Sequence, residues 1–237
     1  MIRIYCLILS LALLVSSSFA HTATGQRGMA ATGHPLATQA AVDAVKAGGN
    51  AVDAAVAAAL TLGIVDAHNS GIGGGCFILI RTPKGEYTAI DGRETAPAAA
   101  TRDMYIRGGK ADTNLSQTGP LAVGTPGALA AYDLALRKHG KLSLAHHLQA
   151  AARIAEEGFP IDRSFARRLR AEADQLRKFP SSREIFLKPD GKPLEEGAVL
   201  QQPELARTYR AIAEHGTKWF YEGPFAEAVG NWMKENG

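Results

Sequence analysis

Residues 71–75, Gly-Ile-Gly-Gly-Gly, constrain the fold more than any other stretch of the chain. Four glycines in five positions leave bare backbone, which suits a segment packed close against something else. An apolar run, residues 76–80, follows at once. Pro83-Lys84-Gly85 then turns the chain into a second extended run, residues 86–90, so the pattern predicts a β-hairpin. Phe77-Ile78-Leu79-Ile80 is apolar at successive positions, which predicts a strand covered on both faces of its sheet. The segment leaves through Asp91-Gly92-Arg93-Glu94-Thr95-Ala96-Pro97, and this exit sets a charged pair beside the glycines.

A glycine run can cradle a phosphate, but this one has the wrong context. The third glycine of a dinucleotide fingerprint would fall at Cys76, and a strand follows where a phosphate site needs a helix N-terminus. No G-x-x-x-x-G-K-[ST] loop occurs either. The formal net charge of +3 is small and scattered, which argues against a nucleic-acid partner.

Residues 1–20 are a different material. Arg3 gives a short positive start, residues 4–15 are almost wholly apolar, and Ser18-Phe19-Ala20 places small residues where a signal peptidase cuts. This reads as a secretory signal, too short for a membrane span; the alternative is a buried N-terminal helix. The expectation is an exported protein with no membrane contact once the signal is removed. Cys6 leaves with the signal, so Cys76 stands alone and no internal disulfide can form.

Along the rest of the chain, residues 28–32 suggest a short strand before His34-Pro35. Residues 36–47 predict a helix closed by Gly48-Gly49. Asn50 can cap the next, residues 51–62, with Asp53 favoured in its first turn by the helix dipole. That helix is mostly alanine, which predicts a closely packed helix pair. Residues 98–119 read as a polar loop, and Thr125-Pro126 as the cap and first position of a helix reaching Lys138. Ser143 caps another, to about Glu157. Residues 163–178 form a basic helix whose apolar members are Phe165, Leu169 and Leu176, with a solvated charged face. Residues 180–203 read as a surface loop, and residues 205–214 and 224–234 as two more helices. Few strands among many helices suggest an α+β or layered α/β class.

No complete catalytic set is visible. The seven histidines lack metal-ligand spacing, and adjacent His146-His147 point in different directions on a helix. Cys76, with a strand after it, reads as a small buried hydrophobe rather than a nucleophile. No G-x-S-x-G elbow occurs. Arg93 is the best single candidate, because arginine grips a carboxylate through two parallel hydrogen bonds. A local ion pair with Glu94 or Asp91 is the competing role, and composition alone does not decide between them.

The segments GHPLATQAAVDAVKAGGNAVDAAVAAALTLGIVDAHNSGIGGGCFILI, DGRETAP, LAVGTPGALAAYDLALRKHG, AARIAEEGFPI and QPELARTYRAIAEHGTKWFYEGPFAEAV, in this order, resemble the N-terminal part of a gamma-glutamyltranspeptidase. The likeness covers essentially all of Gly28 to Gly237, with one visible departure: Cys76 stands where the glycine run often has a fourth consecutive glycine.

The resemblance implies an N-terminal-nucleophile hydrolase with an αββα sandwich, α+β in class and incomplete in this chain. Such precursors cut themselves into a large and a small subunit, and the new N-terminal threonine of the small subunit attacks the γ-glutamyl amide of glutathione. No cofactor or metal is implied. The resemblance assigns the substrate α-carboxylate to Arg93, sets Glu94 beside it as an orienting group, and packs the glycine run against the catalytic sheet. Residues 1–20 are then the signal peptide and residues 21–237 part of the large subunit, with the protein periplasmic or extracellular. The Thr-Thr-His type of small-subunit start appears nowhere in the sequence. The nucleophilic threonine is therefore expected beyond Gly237, no catalytic residue is assigned, and the chain by itself is expected to be inactive. Thr22 would need cleavage after His21, a poor residue for that position. A relative acting on glutaryl or cephalosporin amides or on poly-γ-glutamate, or a non-catalytic secreted binding fragment, are the other readings.

Overall fold

A computed structural model describes residues 23–26 and 28–236. The predicted signal, Cys6, Thr22 and Gly237 lie outside the described residues, as does the threonine expected beyond Gly237. The first helix, α1 (Pro35–Lys46), starts where Pro35 has no N–H to lose and where His34 Nδ1 accepts from the Leu36 N–H. It stops at Ala47, and Gly48 follows at φ +97°, a left-handed conformation that suits a residue without a β-carbon.

Helix α2 (Ala51–Val65) begins with a reciprocal cap. Asn50 Oδ1 accepts from the Val52 and Asp53 N–H groups, while Asp53 Oδ2 accepts from the Asn50 N–H. The alanines do what their size predicts: Ala37 and Ala41 of α1 meet Ala54 and Ala58 of α2 in a small buried cluster. The opposite side of α2 supplies Val52, Val56, Leu60 and Ile64 to the main core, so the helix is buried nearly all round.

The expected hairpin is present. Strands β1 (Cys76–Arg81) and β2 (Tyr87–Gly92) pair antiparallel, with Cys76 opposite Gly92 and Arg81 opposite Tyr87. Its inner face, with Ile78, Ile80 and Ile90, packs on the core, where α4 (Ala128–His139) lies against it. The expectation of a strand covered on both faces is corrected. Phe77 is 72% and Leu79 71% exposed on the outer face, and Tyr87 beside them 67%. Helices cover one side, and among the described residues nothing lies on the other.

Four further expectations are corrected. Residues 28–32 have no strand partner and run as coil; Thr32 Oγ1 instead donates to the His34 carbonyl. The loop at residues 98–119 holds a tight hairpin, β3 (Ile106–Arg107) and β4 (Lys110–Ala111), and a short helix α3 (Thr113–Gln117). Its turn residues Gly108 and Gly109, at φ +57° and +75°, have the signs of a type I′ turn. Thr125 caps nothing, because α4 starts at Ala128 with no side-chain cap. Residues 180–203 contain helix α7 (Pro180–Phe186) and strand β6 (Val199–Leu200), which pairs with β5 (Phe159–Pro160).

The remaining helices follow expectation closely: α5 (Leu144–Glu157) is capped by Ser143, and α6 (Arg163–Lys178) buries Phe165 and Leu169. Helix α8 (Pro203–His215) packs on α5, and α10 (Pro224–Asn236) ends the described chain. Between them lies an unforeseen short helix, α9 (Thr217–Tyr221). The class is therefore mixed helix and antiparallel strand. Among the described residues no helix is long and apolar enough to cross a membrane.

Candidate functional site

The site forms where the open end of the β1–β2 hairpin meets the start of α4. At Gly92 a β-carbon would stand 2.5 Å from Cβ of Ala131, so a side chain there would push α4 off the sheet. At Gly127 it would collide with the carbonyl oxygens of Gly92 and Arg93. The N-terminus of α4 finds its cap in the glycine run: the N–H groups of Gly127 and Ala128 donate to the Gly74 carbonyl at 3.1 and 3.0 Å. One step further, Thr95 and Thr125 exchange two backbone hydrogen bonds of 3.1 and 2.8 Å. Residues 92–95 are thus threaded between the glycine run and α4.

Arg93 is held at its backbone, where its N–H donates to Asp91 Oδ1 at 2.9 Å, and free at its side chain, which is 71% exposed. Its Nε lies 3.2 Å from Glu94 Oε2, so the local ion pair with Glu94 exists while Asp91 engages only the main chain. The contact is one of charge rather than a hydrogen bond: Oε2 is buried and no donor among the described residues aims at it. Glu94 packs closely on bare glycine backbone. A β-carbon on Gly74 would come 3.4 Å from its Oε1, and one on Gly124 3.0 Å from its Cβ. The glycine run packs around Glu94 and, at Gly75, against the Gly92 end of β2.

Beside this pair opens a cleft of about 500 Å³. Its floor is the glycine run, its polar lining includes His68, Asn69, Ser70, Glu94 and Tyr132, and Ala59, Leu62, Ala67 and Cys76 also line it. Burial, then the nearby Cys76, pushes the Tyr132 phenol up to about 12, so it stays neutral. Burial, then the charges of Glu94 and Asp91, pushes the Cys76 thiol up. A thiol so placed is a poor nucleophile, which agrees with its reading as a small hydrophobe. The cleft offers hydrogen-bonding groups and the Glu94 carboxylate, while Arg93, paired with Glu94 through its Nε and 71% exposed, stands outside the lining with its other guanidinium N–H groups open to a carboxylate-bearing ligand.

The other titratable cluster lies elsewhere. His147 is 1% exposed and its Nε2 stands 3.2 Å from Oδ1 of fully buried Asp53, while the His146 ring lies perpendicular to it. Asp53 also accepts from the N–H groups of Asn50, Lys141 and Leu142, at 2.8, 2.9 and 2.8 Å. Burial raises the Asp53 pKa, but these backbone donors and His147 outweigh it and hold the carboxyl low. Burial lowers the His147 pKa, with partial opposition from Asp53. The pair knots three segments together; its sequence signal, an acidic residue after a cap, announced only helix stability. Among the described residues no group of three or more potential ligands could hold a metal ion.

Sequence reasoning missed the wall of the cleft. Asp66 ends α2 and its Oδ1 lies 3.3 Å from Nε2 of His68, whose ring stacks on Phe165 at 5.1 Å. The signal was present as His68-Asn69-Ser70 immediately before the glycine run.

A family model described as Gamma-glutamyltranspeptidase matches residues 37–237. The glutathione hydrolase proenzyme of Escherichia coli K12 is 42% identical over 219 residues, covering 92% of this chain and 38% of that protein. The crystal structure of Helicobacter pylori gamma-glutamyltranspeptidase superposes with a TM-score of 0.88 at 36% identity, covering 92% of this chain and 62% of that one. That of a cephalosporin acylase from Bacillus halodurans gives 0.75 at 28% identity, covering 93% and 43%. The chain thus spans 38% of the length of its Escherichia coli relative.

Proposed function

Because the chain belongs to the gamma-glutamyltranspeptidase family, we propose that it forms the large-subunit region of an enzyme that cleaves γ-glutamyl amides such as glutathione. The observation that carries this reading is Arg93, pinned at its backbone, exposed at its side chain, and paired with a glutamate that packs on the glycine run. Its role is to receive the α-carboxylate of the γ-glutamyl group through paired, charge-assisted hydrogen bonds. Glu94 orients the guanidinium through its contact with Nε at 3.2 Å. A glutaryl group also ends in a free carboxylate, so Arg93 accommodates the acylase reading as well, and it is the family match that favours the glutamyl substrate.

The reaction itself belongs to the N-terminal threonine of the small subunit, a residue beyond Gly237. Its α-amine takes the hydroxyl proton, the oxygen attacks the amide carbonyl, and the proton passes to the departing amine. The glutamyl ester left on the threonine is then taken up by water, an amino acid or a peptide. The large subunit contributes binding and orientation, which place the carbonyl within reach of the nucleophile.

The outer hairpin face supports the two-subunit reading. A two-stranded sheet whose outer edges find no partner among the described residues, with Phe77, Leu79 and Tyr87 bare, is marginal in water. The small subunit covers that face and completes an αββα sandwich, with residues 21–237 as part of the large subunit. Residues 1–20 direct export to the periplasm or beyond. The test is release of p-nitroaniline from a γ-glutamyl anilide by the processed two-subunit enzyme. Activity that falls steeply in the Arg93→Ala form is expected; activity indifferent to that change would contradict the reading.

A further inference from the structure

We propose that Asp66 is a positioning residue for the Arg93–Glu94 pair, acting through the turn that enters the glycine run. The inference rests on the assignment of Arg93 to the substrate carboxylate.

The path is continuous. The Asp66 side chain binds two residues of the turn: Oδ1 accepts from Asn69 Nδ2 at 3.1 Å and faces His68 Nε2 at 3.3 Å. The Asp66 carbonyl accepts from the Asn69 and Ser70 N–H groups at 2.9 and 3.1 Å. Stacking on Phe165 holds the His68 ring from its other side. The turn then passes directly into Gly71, whose carbonyl accepts from the Gly74 N–H at 3.3 Å. Gly74 caps α4, and Gly75 stands against Glu94.

Each link leaves the next little freedom. A glycine run has no side chains to anchor it and pays a large entropic cost for order, so its placement depends on the two bonds from α4 at Gly74 and on what holds its ends. Its far end is tied to β1. Its near end is tied by Asp66, whose carboxylate joins the end of a buried helix to the wall of the cleft. Without that carboxylate the run shifts, Glu94 loses its steric seat, and Arg93 samples orientations that do not meet a carboxylate. The expected symptom is weaker substrate binding with the chemical step intact.

A double-substitution cycle in the processed two-subunit enzyme, using a γ-glutamyl anilide, tests this. Asp66→Ala is expected to raise KM about tenfold with kcat within about twofold, and to add nothing further in an Arg93→Ala background. Asp66→Asn keeps an oxygen where Oδ1 stands and is expected to recover most of the wild-type KM. If Asp66→Ala fails to assemble, Asn69→Ala takes its place in the cycle, with a smaller rise in KM. A KM that is unchanged, or raised by the same factor with and without Arg93, overturns the inference alone. An Arg93→Ala enzyme with unchanged KM overturns the assignment of Arg93, and the inference with it.

Discussion

A β-carbon on Gly75 would stand 2.6 Å from Oε2 of Glu94. It would also meet the carbonyl oxygen of Gly92 at 2.7 Å and the amide nitrogen of Glu94 at 2.8 Å, and main-chain atoms cannot swing aside as a side chain can. The glycine run and the charged pair are therefore one unit, although 17 residues of hairpin and turn separate Gly75 from Arg93 in the chain.

Gly75→Ala is accordingly expected to cost about 1–3 kcal/mol of stability, as overpacking does, and to weaken substrate binding as well. Chemical denaturation and the KM for a γ-glutamyl anilide check the two halves. An alanine form with wild-type KM would separate the glycine run from the site.

The buried Asp53–His147 pair makes a stability prediction independent of function. Asp53 satisfies three backbone donors and one imidazole at a position with no exposure. Its replacement by alanine strips those donors and the buried His147 imidazole of their acceptor, at an expected cost of about 3–5 kcal/mol. A shift of the urea midpoint reads this directly, and a change below about 1 kcal/mol would mean that water replaces the carboxylate at no loss.

The same pair sets an acid limb. Burial first, against the opposing Asp53 hydrogen bond, holds the folded-state pKa of His147 below its ordinary 6.5, and burial does the same at His34 against the opposing charges of Asp162 and Asp66. The unfolded chain then binds more protons than the native one as pH falls below 6.5, so the stability these groups contribute is complete above that value and is lost as pH falls through their folded pKa values. Thermal unfolding between pH 7 and 5 is expected to show Tm falling, and His147→Gln to flatten the fall. A Tm that rises on acidification would reverse the sign of the argument.

Much of this was legible in the residues. The hairpin was readable from a glycine–proline–glycine punctuation of apolar runs, and the caps Asn50 and Ser143 from their positions ahead of helix formers. Chemistry and resemblance single out Arg93, whose role stands as a proposal. Most of what escaped depends on contacts distant in sequence, Asp66 being the exception. Thr125 looks like a cap because Pro126 follows, yet its backbone is committed to Thr95 and the cap comes from Gly74. Phe77 and Leu79 look like core residues because strand patterns report hydrophobicity and not which side the helices occupy. Asp66 carried no pattern, since its partners are its own near neighbours.

That outer face makes the next prediction. Phe77→Lys with Leu79→Lys is expected to leave the hairpin and its inner-face packing unchanged, because both side chains already face solvent among the described residues. The pair of charges is expected to abolish association with the small subunit, as measured by co-purification of the two. Normal association would show that the face stays bare in the assembled enzyme.

The central claim is that Arg93 receives the substrate α-carboxylate, and removing that carboxylate tests it most directly. The processed enzyme and its Arg93→Ala form are each given a γ-glutamyl anilide and the 4-aminobutanoyl anilide that lacks only the α-carboxylate. Wild-type kcat/KM is expected to favour the glutamyl compound by roughly 10²-fold or more, the scale on which breaking a hydrogen-bonded charge pair is felt, and the alanine form to show almost no preference. An alanine form that discriminates as strongly as the wild type would mean that the carboxylate is held elsewhere.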